Sequence, residues 1–421
     1  MSPDLPPPAI SLPDKTEICI IGGGIVGVLS ALELATHGHH VVLVEQDTIG
    51  WAQSGRNLGW IRQQGRDRSE MPLMIEANAR WREMARRCES SALNYSETGI
   101  CYFGAGQRDQ DTYETYHAEL GEHGVISEML NTAEIQRMQP GNSLQWQVGI
   151  RTPSDGRIEP KTAAPAIATA ARRAGAVTVE NCAVRAIEPN ASGGVWVYTE
   201  RGELFAERVV VAAGASSAKL LLPLGLSLPQ LCIESTVIEV VDGTSSWSGS
   251  GSDGLLAFYR NEHGHIGLSL CDRFVHRPTL ETARHLRHYL SVIDKCLAVT
   301  TLAPPRRHVE KQGPPPQRKN IRQSLERAQA RAIIGHDAKI VRCWAGVIDL
   351  LPDFLPVIDK VGTSGSILIT TGFSGHGFGI APTVARVVND WVAERSPNHD
   401  LSRFRYNRFS DGTHLEPGPT F

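Results

Sequence analysis

Apolar positions along this chain begin with a short unbroken run. Thr16-Glu-Ile-Cys-Ile-Ile21 has the make-up of a strand buried on both faces, led in by a polar residue. After six residues, Val28–Thr36 repeats its apolar positions at helical spacing. A polar His37-Gly-His-His40 turn follows, then a second short run, Val41–Val44, that ends in Glu45. Short β segments return at Ala174–Glu180, Val184–Ile187 and Val195–Thr199. They close with a buried strand, Val209–Val211, that leaves through Ala212-Ala213-Gly214. Far downstream, Ile367–Thr370 predicts a strand that enters a loop with glycines at 372, 375, 377 and 379. A helix is expected there from about Ala381 to Glu394, with Pro382 in its first turn.

Two stretches break away from this pattern. One carries a β segment at Ile100–Phe103 and helical spacing at Thr112–Glu122 and Thr132–Met138. The other carries strands at Gln230–Val241 and His265–Leu270, a helix near Leu280–Cys296, and a Ser/Gly-rich Trp247–Gly254 that reads as a loop.

The residues between the first strand and the first helix carry chemistry. Gly22-Gly-Gly-Ile-Val-Gly27 is a G-x-G-x-x-G placed between a strand and a helix, with an acid at the end of the next strand. In that frame Gly22 makes the tight turn, Gly24 admits a pyrophosphate against the backbone, and Gly27 lets helix pack on strand. The helix N-terminus, with Ile25 and Val26 in its first turn, presents unpaired N–H groups to the phosphates. Glu45, 21 residues after Gly24, accepts from ribose hydroxyls, with Gln46 beside it. An acid here rather than an arginine selects NAD or FAD over NADP. The second β pass and the second glycine loop favour a flavin, because a helix N-terminus behind Gly372–Gly377 would stabilise the anionic edge of a reduced ring. His37, His39 and His40 have no nearby carboxylate or cysteine partner in sequence, so no metal site is expected. Ser374 and His376 lack the third member of a hydrolase triad.

Composition narrows the rest. The chain has 421 residues with a net charge of −3, so no basic excess draws it to nucleic acid. Forty glycines are the one skewed count, and they gather in these loops. Eight cysteines are scattered without a C-x-x-C pair, and the start, Met1-Ser-Pro-Asp-Leu-Pro-Pro-Pro, has no signal-peptide pattern. No apolar run approaches the ~20 residues of a membrane helix. A cytoplasmic protein without an integral membrane segment is the expectation.

From about 16 to 395 the chain resembles the FAD-dependent amine oxidoreductases of the D-amino-acid oxidase superfamily. The carriers are Gly22–Gly27 with Glu45, Ser54-Gly-Arg-Asn-Leu-Gly59, Asp155-Gly-Arg-Ile-Glu-Pro160, Val209–Gly214, Cys343-Trp-Ala-Gly346 with Pro352-Asp353 and Pro356, and Gly372–Gly379. The resemblance implies an α/β protein, α+β overall. Its Rossmann-like FAD-binding domain would comprise 16–99, 151–226 and 341–395. A discontinuous substrate domain on an antiparallel or mixed sheet would comprise 100–150 and 227–340, with tails at 1–15 and 396–421. Implied cofactor contacts are Ser54, Gly55, Arg56, Asn57, Gly59, Val184, Ala213, Gly214, Gly346, Asp353, Gly372, Phe373, Ser374, Gly375, His376, Gly377 and Phe378. Some relatives tether FAD through a cysteine or histidine. Gly346 and Arg56 stand at those positions, so the FAD is expected to be noncovalent.

The implied reaction removes a hydride from the carbon beside an amine nitrogen, with O₂ or another acceptor taking the electrons. Arg62 and His376 are the candidate catalytic residues, and Arg62, Tyr259 and His265 the candidate substrate contacts. Arg62 suits a substrate carboxylate because a guanidinium grips it bidentately. Oxidation of a 2-hydroxy acid and service as the flavin-binding part of a larger dehydrogenase complex stay open, as does a homodimer. The basic stretch Thr300–Arg331, with Arg306, Arg307, Lys311 and Arg318 among its charges, reads by default as a solvated helix and loop.

Overall fold

A computed structural model describes residues 11–87, 93–141, 145–245, 247–290, 300–304, 313–362 and 365–418. In chain order the elements that frame the site begin with β1 (Lys15–Ile21), α1 (Ile25–Thr36), β2 (Val41–Val44), β3 (Trp60–Ile61) and α2 (Met71–Arg87). Then come β4 (Ile100–Gly104), α3 (Gln107–Glu122), β5 (Val148–Thr152), β6 (Gly156–Arg157), α4 (Pro160–Arg173), β7 (Val177–Val179) and β8 (Gly202–Val211). The second half holds β9 (Leu231–Val241), β10 (Ser250–Ser252), β11 (Leu256–Arg260), β12 (Ile266–Leu270) and α5 (Arg318–Ala330). It closes with β13 (Lys339–Leu350), β14 (Val357–Val361), β15 (Ile367–Thr371) and α6 (Gly377–Val392).

The main path of the first sheet runs β14-β15-β8-β1-β2-β7, parallel except for its β14 edge, and the strands Val184–Pro189 and Val195–Thr199 add antiparallel pairings beside β8. Ile18, Ile20 and Leu43 point into a core shared with α1, α4 and α6. Cys19, Ile21, Val42 and Val44 point into a second core on the other face. Both faces are covered, which is why these strands read as continuous apolar runs. The second sheet carries β9-β12-β11-β10-β4-β5. There β13 lies antiparallel on β9 from Leu231↔Leu350 to Val241↔Lys339.

Four expectations change. β13 hydrogen-bonds into the second sheet along its whole length, so the passage back to the first sheet falls after Leu350 and not at 341. Trp247–Gly254 is no plain loop: Ser250–Ser252 is a strand between β4 and β11, and Trp247 is buried edge-on against Phe103 and Phe258. Small residues suit that strand because a Cβ at Gly251 would already stand 3.0 Å from the Phe258 ring. α6 starts at Gly377, four residues early, leaving Pro382 inside it. Packing overrides propensity there, since a Cβ at Gly379 would press on Met74 Cε at 2.8 Å.

Finally, the residues after 395 are not a loose tail. Phe404 is fully buried, and the Arg408 guanidinium grips the Asp353 carboxylate at 2.7 and 3.1 Å with both side chains buried. Lys15 already belongs to β1, whereas 1–10 lie outside the described residues. So do Arg306, Arg307, Lys311 and the end of the Leu280–Cys296 helix, of which Leu280–His285 is present. Arg327 of the basic stretch is tied to Asp272 at 2.6 and 2.9 Å.

Removing one partner of the Arg408–Asp353 pair strands a buried charge. Arg408→Ala is therefore expected to lower the unfolding free energy by about 3–5 kcal/mol, against under about 1 for an exposed arginine. Denaturant melts of this variant and of Arg201→Ala check the contrast.

Candidate active site

The site begins at the C-terminal ends of β1, β2 and β8, where strand order reverses around β1 and ligands of such sheets bind. Gly22 has φ +109, and a Cβ there would stand 2.4 Å from the Ala212 carbonyl oxygen. A Cβ at Gly27 would stand 1.9 Å from the Gly22 oxygen. Backbone touches backbone at both points. At Gly24 a Cβ would meet only Ser54 Oγ, at 3.0 Å, so this position faces the cradle. Ile25 N donates to Ser54 Oγ at 2.8 Å, and Val26 follows in the first turn of α1. The Glu45 carboxylate accepts from Gly23 N at 2.6 Å and Asp47 N at 2.8 Å, and burial raises its pKa. Gln46 is exposed beside it. These residues fit a dinucleotide: two points without room for side chains, a helix N-terminus, and an acid at the ribose position.

The loop after β2 is braced by its own side chains. Arg56 donates from Nε to Trp51 O at 2.9 Å and from Nη1 to Ala345 O at 3.0 Å, and its guanidinium covers the Trp51 ring. Asn57 donates to Gln53 O and Ser54 O and accepts from Gly59 N at 2.6 Å. Asn57 thus holds the loop's shape, Arg56 ties the loop to β13, and both line the cavity of about 500 Å³ beside it. Gly55 packs on the Gly50 oxygen, and Gly59 on the Ile158 oxygen. Gly346 faces Gln53, whose buried Oε1 has no hydrogen-bond partner among the described residues. Asp353, expected at the cofactor, is instead consumed by Arg408, because a buried carboxylate needs its cation close. Val184 begins a strand at the sheet margin, while Ala213 and Gly214 leave β8 with the Gly214 oxygen accepting from Gln230 at 3.0 Å.

The late glycine loop sits on Asp349 at the end of β13. Gly372 N donates to Asp349 Oδ2 and Ser374 N to its carbonyl, each at 3.0 Å. Burial pushes the Asp349 carboxyl up to about 6. Gly372, Ser374 and Gly375 all have positive φ, the cost of turning so sharply into α6. Phe373 is buried, and Phe378 stacks on Trp81 at 5.7 Å. His376 caps Gly377 and places Nδ1 3.0 Å from Glu70 Oε2. Burial, then the Arg66 charge, pull its pKa down to about 4, so the ring is neutral at pH 7.

Arg62 enters this region because β3 pairs with β6, Trp60↔Arg157 and Ile61↔Gly156, which brings Arg62 alongside Asp155. Asp155 Oδ1 accepts from Gln63 N and Nε2, each at 2.9 Å. Burial raises the Asp155 pKa to about 7. Arg62 is 5% exposed, lies 5.2 Å over the Tyr102 ring, and its guanidinium has no hydrogen bond or ion pair among the described residues. Sequence reasoning named Arg62 and His376, and the structure brings them together. It gave no role to Arg66, Glu70, Asp155, Tyr102 and Tyr116, which join them. Arg66 and Glu70 were legible only as charges in a short run; nothing in the run marks them as buried.

The other candidates are not part of this group. Tyr259 is buried under the Arg157 guanidinium and donates to Glu239 Oε1 at 2.9 Å. It lines a separate cavity of about 500 Å³ with Trp51, Arg56, Arg342 and Trp344. His265 sits in the β11–β12 turn, its N donating to Asn261 Oδ1 at 2.9 Å. Cys271, which feels the Arg62 charge, is six residues on, about 20 Å along the strand. A tyrosine one residue from a strand end is swung to either face by register, which the sequence alone does not reveal.

The family model described as DAO, FAD dependent oxidoreductase, matches residues 17–391. The chain belongs to that family. It is an FAD-dependent oxidoreductase. Human peroxisomal sarcosine oxidase is 26% identical over 422 residues, covering 94% of this chain and 97% of that protein. The beta chain of sarcosine oxidase from Rhizobium meliloti (strain 1021) is 24% identical, covering 96% and 92%. Among solved structures, L-amino acid deaminase from Proteus myxofaciens superposes with a TM-score of 0.88 at 21% identity, covering 96% of this chain and 95% of that one. Glycine oxidase from Geobacillus kaustophilus gives 0.80 at 20% identity, covering 94% and 99%. At such identities the structures speak for the fold. No described helix is long and apolar enough to cross a membrane, and no group of metal-ligating side chains occurs among the described residues.

His376 binds protons less readily when folded than when unfolded. Between pH 6.5 and about 4 the unfolded chain holds the extra proton, so this residue makes stability fall as pH falls. Asp349 acts with the opposite sign between 3.8 and about 6. Melts at pH 7 and pH 5 should show a smaller acid loss in His376→Asn than in the parent. An equal loss would contradict the assignment.

Proposed function

We propose that this enzyme oxidises a small carboxylate-bearing amine or amino acid at its C–N bond, with noncovalently held FAD. The observation that carries this reading is the buried Arg62 guanidinium, which has no acceptor of its own among the described residues and lies close enough to His376, at the N-terminus of α6, for its charge to be felt there. A buried cation without a partner is costly, and a substrate carboxylate would relieve that cost while fixing the substrate's orientation. Bound FAD supplies the hydride acceptor. The α-carbon gives up a hydride, the N–H proton passes to solvent, and the resulting imine is hydrolysed by water. Gly22, Gly24, Gly27, Ser54 and Glu45 would hold the dinucleotide. Glycine at 346 and arginine at 56 offer no thiol or imidazole for a covalent link.

The protein's own contribution is mainly positional. Arg62 holds the carboxylate, Tyr102 forms a wall beneath that arginine, and the neutral His376 keeps Glu70 in place at the mouth of α6. This division of labour fits a reaction that needs little acid–base help once the amine is neutral. O₂ or another acceptor removes the electrons. Two Rhizobium meliloti relatives are named as subunits, one of sarcosine oxidase and one of opine oxidase, which gives some support to work within a larger assembly.

An anaerobic panel of amines, amino acids and 2-hydroxy acids, followed by flavin bleaching near 450 nm, tests the reading. Carboxylate-bearing amines should bleach the flavin and hydroxy acids should not. Arg62→Ala is expected to raise KM by about 100-fold or more with the flavin spectrum intact, the loss of a bidentate charged contact. An unchanged KM would refute the assignment.

A further inference from the structure

Arg62 is not alone in lacking a counter-ion. Arg66, four residues further on, is 4% exposed. Its Nε donates to the Arg62 carbonyl at a long 3.4 Å, and its Nη1 is buried with no partner among the described residues. The two arginines offer ten N–H donors by their chemistry, and the chain answers almost none of them. Gly65 sets the bend between them. Its φ is +61, and a Cβ there would press on the rings of Tyr102 and Tyr116 at 3.3 Å.

Neither nearby carboxylate is a counter-ion in contact. Glu70 is committed to His376 through Oε2, and its Oε1 is buried without a partner among the described residues. Asp155 gives Oδ1 to Gln63 and leaves Oδ2 likewise unpaired. No ion pair within 4 Å joins either acid to either arginine. The Tyr102 hydroxyl is a further buried group without a partner there. Buried donors and acceptors gathered in one region without partners are polar groups whose hydrogen bonds the chain's own described side chains do not complete.

Resting on the amine-oxidation reading above, we infer that the substrate carries two carboxylates, one held by Arg62 and the other by Arg66. The chemical class is a dicarboxylic amine, either an amino acid bearing a side-chain carboxylate or a secondary amine flanked by two carboxyalkyl arms. The nitrogen and its C–H bond then lie between two anchored ends. One carboxylate bridging both guanidiniums is the rival arrangement.

The test uses the FAD-loaded full chain. Anaerobic bleaching is measured with iminodiacetate and N-(1-carboxyethyl)alanine as two-arm amines, glutamate and aspartate as side-chain acids, and sarcosine and alanine as monocarboxylates. Binding of glutarate, succinate, propionate and acetate is read separately by calorimetry, so that it does not depend on turnover. A dicarboxylate arm should exceed the monocarboxylates in kcat/KM by about 100-fold or more, since a site built for a charged contact strongly rejects ligands that lack it. Whichever arm bleaches the flavin separates the two sources. Arg66→Gln should collapse that selectivity ratio and the calorimetric preference for diacids. Arg66→Lys, which keeps the charge, should restore part of both and guards against a folding defect in the glutamine variant. Equal kcat/KM for mono- and dicarboxylates, or loss of both classes in equal proportion on Arg66→Gln, overturns the inference in favour of the bridged single carboxylate. If no amine bleaches the flavin, the oxidation reading fails, and the diacid calorimetry still decides the role of Arg66.

Discussion

The close approach of backbone to backbone at Gly22, Gly27 and Ala212 sets the position of almost everything else in the site. A methyl group at Gly27 would lie 1.9 Å from the Gly22 oxygen, so α1 can seat against β1 only with glycine there. That seating aims the first turn of α1 outward, where Ile25 N meets Ser54 Oγ and pins the loop after β2. The same loop presses Gly59 onto the Ile158 oxygen and leads straight into β3. β3 then delivers Arg62 beside Asp155. A contact that serves cofactor binding therefore also places the residue assigned to the substrate, some forty positions downstream.

Electrostatics divides the interior into two kinds of charge. Arg408 with Asp353, and Arg342 with Glu239 at 2.6 and 2.8 Å, are closed pairs whose partners satisfy each other. Arg62 and Arg66 are open. Burial lowers the pKa of both, Arg66 to about 9, so they stay charged at neutral pH while most of their donors go unanswered among the described residues. Closed pairs lock structure. Open ones store an unmet interaction that a ligand can complete, and that asymmetry is the physical basis for assigning binding to this pocket and not to the cavity beside Tyr259.

Much of this was legible in the sequence where local chemistry is specific. The run Thr16–Ile21, the glycines after it and Glu45 announce strand, turn, helix and acid within about thirty residues, and the structure has them in those places. The resemblance carried the fold class. What the sequence hid depends on long-range contact. Asp353 looks like a cofactor ligand until Arg408, fifty-five residues later, is found on it. Arg56 and Asn57 also brace the structure, Asn57 within its own loop and Arg56 across to Ala345 on β13, contacts that their neighbours in sequence do not announce. Trp247–Gly254 has a loop's composition, yet its glycine is what lets it slip between two aromatic strands. Arg66 and Glu70 sit in a polar run whose burial follows from distant elements: Tyr116 of α3 and Asp155 near Arg66, and His376 on Glu70.

The open arginine pocket, and not the Tyr259 cavity, is assigned here to the substrate carboxylate. A crystal structure of the FAD-loaded enzyme with an unreactive diacid such as glutarate tests this most directly. The expected result is one carboxylate within about 3 Å of the Arg62 guanidinium and the other at Arg66, over the flavin. A diacid seated among Tyr259, Arg342 and Trp344, with Arg62 and Arg66 still unaccompanied, would contradict it.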